Sequence, residues 1–526
     1  MLSAVNVTTA RRLGQQWPGL LSLGLILLIS LLAFGALAGW GRSDVATELW
    51  QEPWFWQLLR FSLWQALLSA LFSVVLALPL SRALALDSAL PGTERFLSWC
   101  LLCFVMPSLI LITGLVALFG RSGLLTPWLG DSWRLYGLNG ILLAHVFLNL
   151  PFAVRVLTFQ WRSIPPSAWK LASQLGITGW QRFRLVEWPV LQGVLPAVAG
   201  FIFLLCFNSF AVVLALGGGP AASTLEVAIY QALKYDFNPS EALFLAWVQL
   251  LLAGSIYLLF SRLGRFQWLA PVEAPQQHWL PRQPIWLIWG GRCTYLLIGL
   301  FLMLPVWVLV PLAFRADIGF LLQTGLPGII GRSLLLACGA ALLSLLLSLS
   351  LLSLWRALPQ GFWRQGVAAV ALYPLIVPAM VLSVGLYILL MPHLDWQLWG
   401  WLAIMLINAL IALPFAFQQL RPAVSNYQAS YARLLADLHP GRLTEWRLIY
   451  LPYLRPALQR VLAICFVLAL GDMSVFAIFG SDAWRTLPWL IYSLAGSYRV
   501  AEAALASLML LFLAFAVLRW LETRHA

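Results

Sequence analysis

Charge is what this chain has least of. Of 526 residues, 10% are Asp, Glu, Lys or Arg while 62% are hydrophobic. So few polar groups cannot cover a water-soluble body of this length. Histidines number only 5, and no group of His, Cys, Asp and Glu has metal-ligand spacing, which leaves nothing for a metal centre to be built from. Nor does any carboxylate pair suggest hydrolysis. Lysine is scarcer still, found only at Lys170, after Trp169, and at Lys234, after Leu233. A phosphate-cradling P-loop needs Gly-Lys-Ser/Thr; with no such lysine, the chain cannot drive anything with ATP by itself. "GGGP" at 217–220 also lacks a lysine and a following Ser/Thr, and reads as a flexible turn. Weak alternating segments of the kind that build membrane barrels are missing too.

Long apolar runs are what remains. About 20 apolar helical residues cross about 30 Å of hydrocarbon, because a helix satisfies its own backbone in lipid. Runs of that length predict helices over 19–39, 61–80, 97–119, 137–158, 194–216 and 242–260, then over 294–314, 333–354, 367–390, 398–416, 457–479 and 503–520. The expected fold is an all-α membrane protein of about twelve spans, six on each side of a Pro-rich stretch. Its parts are a first half over 1–262, a cytoplasmic linker over 263–292 and a second half over 293–526.

A net charge of +13 could suggest nucleic acid, but the distribution of the charges argues for topology. With Arg11 and Arg12 placed in the cytoplasm, most Lys and Arg fall at cytoplasmic ends, which satisfies the orientation rule with both termini inside. Acids including Glu226, Glu241, Asp317, Asp395, Asp482 and Glu502 then fall outside. No nucleic-acid partner is expected. The C-x-x-C at Cys100 and Cys103 has no soluble βαβ context, so it reads as two small residues in a span. "ALA" at 36–38 resembles a signal-peptidase site, but the apolar run before it is too long, so the first helix reads as uncleaved.

The chain repeats itself. "LPFA" at 150–153 returns at 413–416, and Pro189 returns as Pro452, both at an offset of 263, half the chain length. "IYQAL" at 229–233 faces "IYSLA" at 491–495. An offset that conserves an even number of spans puts both halves in one membrane orientation, related by an axis along the membrane normal. Halves arranged so enclose a central path.

Two stretches interrupt the apolar pattern at matching places, over 165–189 and 426–452. In the first, Trp180, Phe183 and Val186 recur every three positions among Gln181, Arg182, Arg184 and Glu187, the pattern of a short amphipathic helix. Leu443, Trp446 and Ile449 repeat it, with Arg447 matching Arg184. A further short helix precedes each, "PPSAWKLASQL" and "NYQASYARLLADL". Gly176 and Gly179 separate the first pair, and His439, Pro440 and Gly441 the second. One reading is a helix anchored in lipid headgroups. The other is a knob offered to a cytoplasmic partner, once per half.

A glycine thirteen positions before a proline, after a short alanine-containing helix, resembles the cytoplasmic loop of permease subunits of bacterial ABC importers. Gly176 and Pro189 carry it, and the resemblance implies a docking loop that includes Lys170, Ala172, Ile177, Thr178 and Gly179. Where the family has an acid and two small residues, this chain has Lys170, Leu171 and Ala172. The second loop has Arg433, Leu434 and Leu435 there, and His439 in place of the glycine. "GILLAHVFLNLPFAVRVL", "LALGGGPAASTLEVAIYQAL" and "RTLPWLIYSLAGSYR" extend the likeness along the chain, which is most similar to fused, duplicated permeases for thiamine. Ferric-iron permeases share that architecture. The resemblance implies a type I importer fold in a bacterial inner membrane. It also implies two copies of a cytoplasmic ATPase holding ATP and Mg, a periplasmic solute-binding protein, and no cofactor in this chain.

Charges inside a bilayer cost about 2.5–3.5 kcal/mol on insertion scales, so each is a functional candidate. Asp472 lies in "ALGDMSVF", opposite Asn208 and Ser209 of "LCFNSFAV"; it either lines the path or pairs internally. His145 and Asn149, four apart on one helix face, either line the path or hydrogen-bond between helices. A thiazolium solute would favour the acid, and its rings would favour Phe207, Phe210 and Phe476. The competing class is an ion-driven secondary transporter, which would usually carry several intramembrane acids or a discontinuous helix.

Overall fold

The computed structural model describes residues 16–40, 48–130, 132–263, 280, 283–438 and 441–522. Arg11, Arg12, His439, Pro440 and residues 264–279 and 281–282 of the linker lie outside them, as do the side chains of Arg433, Leu435, Leu443 and Trp446.

Counting helices of nine residues or more, the first half holds α1 (Trp17–Trp40), α2 (Pro53–Leu86), α3 (Thr93–Val105), α4 (Ser108–Phe119), α5 (Leu138–Arg162), α6 (Pro166–Gln174), α7 (Leu195–Phe207), α8 (Leu225–Lys234) and α9 (Pro239–Leu263). The second holds α10 (Ile285–Trp307), α11 (Leu326–Ala357), α12 (Phe362–Leu372), α13 (Ala379–Leu390), α14 (Trp396–Leu438), α15 (Leu451–Leu470), α16 (Leu487–Gly496) and α17 (Val500–Glu522). Among the described residues no strand forms. Nine helices among the described residues are long and apolar enough to cross a membrane, or up to 12 spans when three bent pairs each count once. Every run read as a span from sequence falls on one of them, and the protein is a multi-pass helical membrane protein.

Four of those runs are not straight. The run at 97–119 bends by 97° between α3 and α4, and the one at 367–390 bends by 89° before α13. Proline causes both bends. Pro107 and Pro378 bring no N–H, and Met106, ahead of the first, is forced to the extended backbone at ψ 134°. The runs at 194–216 and 457–479 stop early, at Phe207 and Leu470, and resume as the short helices Ala211–Leu216 and Ser474–Phe479. These two discontinuities sit at equivalent places in the halves.

The element series recurs. The turns Pro220–Ala222 and Asp482–Trp484, and then α8 and α16, follow at one spacing. Both short helices are held the same way: Ser62 of α2 accepts from the Leu225 amide at 3.1 Å, and Ser333 of α11 from the Leu487 amide at 2.7 Å.

First helices are exchanged between halves. Helix α1 packs against α13 and α11, while α10 packs against α4 and α2. Glycine permits both close approaches. A methyl group on Gly385 would strike the backbone carbonyl of Ala33, and one on Gly114 the carbonyl of Pro305. Ser30 donates to the Tyr373 hydroxyl at 2.7 Å, and Arg292 pairs with Asp87 at 3.0 Å, adding a polar contact to each exchanged helix.

Candidate functional site

The first interrupted stretch forms a rigid elbow. Pro166 opens α6 with its φ already set, and Gly176 closes it at φ +67°. The Ile177 amide reaches back to the Ala172 carbonyl at 2.9 Å, so the helix end is capped by its own backbone. Gly179, at φ +55°, starts the next turn, Gly179–Arg182, which continues through a π-helical turn over Phe183–Glu187 and then Trp188–Leu191. A 54° bend leads into α7.

Burial in this elbow corrects the sequence reading of its faces. Trp180 is 73% exposed, whereas Arg182 and Glu187, read as solvent-facing, are buried at 6% and 0%. The reason is a charge cluster. Glu187 accepts from Arg82 of α2 at 2.8 and 3.0 Å, and Arg182 approaches it at 3.4 Å. Both arginines also donate to the Gln283 side-chain Oε1, at 3.1 and 3.0 Å. Burial lowers the Arg182 pKa from its ordinary value, against the opposing pull of Glu187. Arg182 lies over the Trp169 ring and Arg82 over the Trp161 ring. Lys170, Gly176, Thr178, Gly179, Arg184 and Pro189 are exposed, Ile177 and Phe183 half-buried, and Ala172 buried. Leu171, Leu175, Trp180, Leu185 and Trp188 leave an apolar outer face bare.

The second elbow is built differently. No separate helix precedes it, because α14 runs unbroken for 43 residues. Gln428 and Ala429 stand where the first half has Pro165 and Pro166, so the backbone ladder continues. From exposed Gly441 the chain turns through Arg442–Glu445 and a π-helical turn at Trp446–Tyr450, and enters α15. Arg447 and Pro452 are exposed. Tyrosines replace the ion pair. Tyr427, 1% exposed, donates to Glu445 at 3.2 Å and meets the Tyr450 ring edge-on at 4.8 Å, with Tyr453 and Tyr431 beside it. Arg356, in the position of Arg82, lies over the Tyr450 ring.

Between the halves lies a cavity of about 190 Å³, lined by Asn208, Asp472 and Ser474 among the side chains of Phe201, Tyr257 and Phe415. Two of the path residues named from sequence, Asn208 and Asp472, therefore come together here, at the two helix discontinuities. Asp472 accepts from the Ser474 hydroxyl at 2.7 Å and from the Ser474 and Val475 amides at 3.2 Å. The others lie elsewhere. His145 meets the Ser69 hydroxyl at 3.1 Å, and Asn149 donates to the His145 carbonyl at 2.9 Å, both buried where α2, α5 and α7 pack. Phe207 is buried against Phe203, and Phe210 against Tyr230. Phe476 lines a larger, separate cavity of about 620 Å³ with Lys234, Tyr387, Arg485 and Trp489. Ser209 is half-buried at the first discontinuity.

Sequence reasoning missed Glu226. Placed among outer-loop acids, it is 2% exposed in the first turn of α8 and accepts from Gln249 of α9 at 2.9 Å. The amphipathic run of α8 was the available signal, too short to read as a buried helix. Among the described residues no group of His, Cys, Asp and Glu could hold a metal.

Nine to twelve apolar spans among the described residues, in two recurring series with a cavity between them and an elbow on each, define a membrane permease. No family model matches the chain. The thiamine transport system permease protein of Salmonella typhimurium is 38% identical over 97% of this chain and 97% of that protein. The one of Escherichia coli is 37% identical over 96% of each. The sulfate transport system permease protein of Escherichia coli is 27% identical over 46% of this chain but 88% of its own length. The chain belongs to the family of thiamine transport system permease proteins.

Proposed function

We propose that this chain is the transmembrane permease of an ATP-driven, binding-protein-dependent importer for thiamine or its phosphates, with both termini in the cytoplasm of a bacterial inner membrane. Similarity to thiamine permeases along almost the whole of both chains carries the reading. ATP and Mg belong to two partner ATPase subunits, one seated on each elbow, because lysine occurs only at 170 and 234 and no P-loop can be formed. The bare apolar face of the first elbow, with Trp180 and Arg184 as anchors, supports a docking role. A soluble binding protein delivers the solute to the outer face, and closure of the ATPases draws the elbows together to switch the path. Thiamine then crosses between the halves, its thiazolium beside Asp472.

The experiment is uptake of labelled thiamine into vesicles holding this chain with its ATPase and binding protein. Uptake that needs ATP hydrolysis and survives an uncoupler supports the reading. Uptake abolished by the uncoupler would support an ion-coupled carrier instead, the class to which discontinuous helices and buried acids also point.

A further inference from the structure

Behind the cavity wall is a cluster with more acceptors than donors. Gln249, fully buried, gives one amide nitrogen to two partners: Glu226 Oε1 at 2.9 Å and Asn208 Oδ1 at 3.4 Å. Glu226 Oε2 and Gln249 Oε1 are left buried with no partner among the described residues. A buried acceptor without a donor costs about 1–3 kcal/mol, more when charged. What the cluster lacks is a donor or a positive charge.

Its placement says where that charge would come from. Asn208 is both the end of this chain of contacts and a wall of the cavity that Asp472 lines. Helix α8 packs across the boundary onto Ser474–Phe479, the short helix whose first amides donate to Asp472. Each half thus brings one acid to the same place. The duplication does not require this, since Pro488 stands where α16 matches Glu226, and Leu510 where α17 matches Gln249.

We infer that Glu226 is the second acid of the cation route, a positioning residue whose charge reaches a passing organic cation through Gln249 and Asn208. The inference rests on the thiamine reading and deepens it: the route is selective for positive charge because each half places one acid at the same cavity, Asp472 in its wall and Glu226 behind it. Glu226 itself stays out of contact with the solute.

The test compares the unaltered protein with E226Q and E226D in vesicles containing the complete importer, at saturating loaded binding protein. E226Q keeps the shape and loses the charge, so thiamine uptake should fall roughly tenfold, near the tenfold step that 1.4 kcal/mol represents. E226D should recover most of it, and the melting temperature of both variants should stay at the unaltered value. Uptake by E226Q equal to that of the unaltered protein overturns the inference. So does a loss that E226D fails to recover, or one that follows a drop in melting temperature, because the residue would then be structural. No uptake by the unaltered protein overturns the thiamine reading itself.

Discussion

The two elbows occupy equivalent positions and are held by opposite chemistry. In the first, a carboxylate without solvent contact is clamped by two arginines; in the second, tyrosine rings pack around Tyr427 and the surviving arginine faces a ring. The charges have even changed sides, with Glu445 where the first half has Arg182 and Tyr450 where it has Glu187. What the repeat preserves is the turn itself, a π-helical segment of five residues entering the fifth span of each half. How that turn is fastened to the bundle has been free to diverge. A buried ion pair is sensitive to losing either member, while a ring cluster degrades gradually.

The sharpest way to break the comparison is Glu187→Ala. It strands Arg82 and Arg182 beside each other, and removal of one partner of a buried pair costs about 3–5 kcal/mol. The first elbow should loosen while the second stays intact. Limited proteolysis should then cut near Gly179 and spare Gly441, and cutting at both would show that the elbows are not independent. A middle-sized effect should come from glycine. Gly176→Ala forces a side chain into left-handed backbone, costing about 1–2 kcal/mol, whereas Gly441, without positive φ, should accept alanine with no change in melting temperature. Equal losses at both sites would mean that the elbows end their helices alike. Smallest is Tyr427→Phe, which removes one hydrogen bond to Glu445 and should lower stability by about 0.5–1.5 kcal/mol in thermal unfolding. A drop as large as that of Glu187→Ala would remove the distinction between brittle and gradual fastening.

Spans and repeat were legible in the sequence because burial in lipid and burial in protein call for the same apolar residues. A count of apolar runs therefore finds the helices without knowing what each one faces. Breaks were harder. Pro107 and Pro378 sit inside apolar runs, and a proline in a membrane helix is compatible with a straight, a kinked or a sharply bent path. The second interrupted stretch looked like a helix pair because its polar composition matched the first, yet without Pro165 and Pro166 nothing stops α14. In the elbow, Arg182 and Glu187 read as a wet face because residue type alone does not disclose that their partners, Arg82 and Gln283, arrive from about a hundred residues either side. Glu226 was hidden in the same way: Gln249, which makes its burial tolerable, lies on the next span.

The exchange of α1 and α10 sets the order in which the chain can be completed. Helix α1 leaves the ribosome first, yet Gly385, the surface it fits, is made more than 300 residues later. Until then its apolar flank has only lipid for company, and the six spans synthesised first form an unfinished body with an open seat where α10 belongs. Insertion into the bilayer is thus separated in time from assembly. A chain cut at the linker would yield two fragments, each lacking the piece that the other carries.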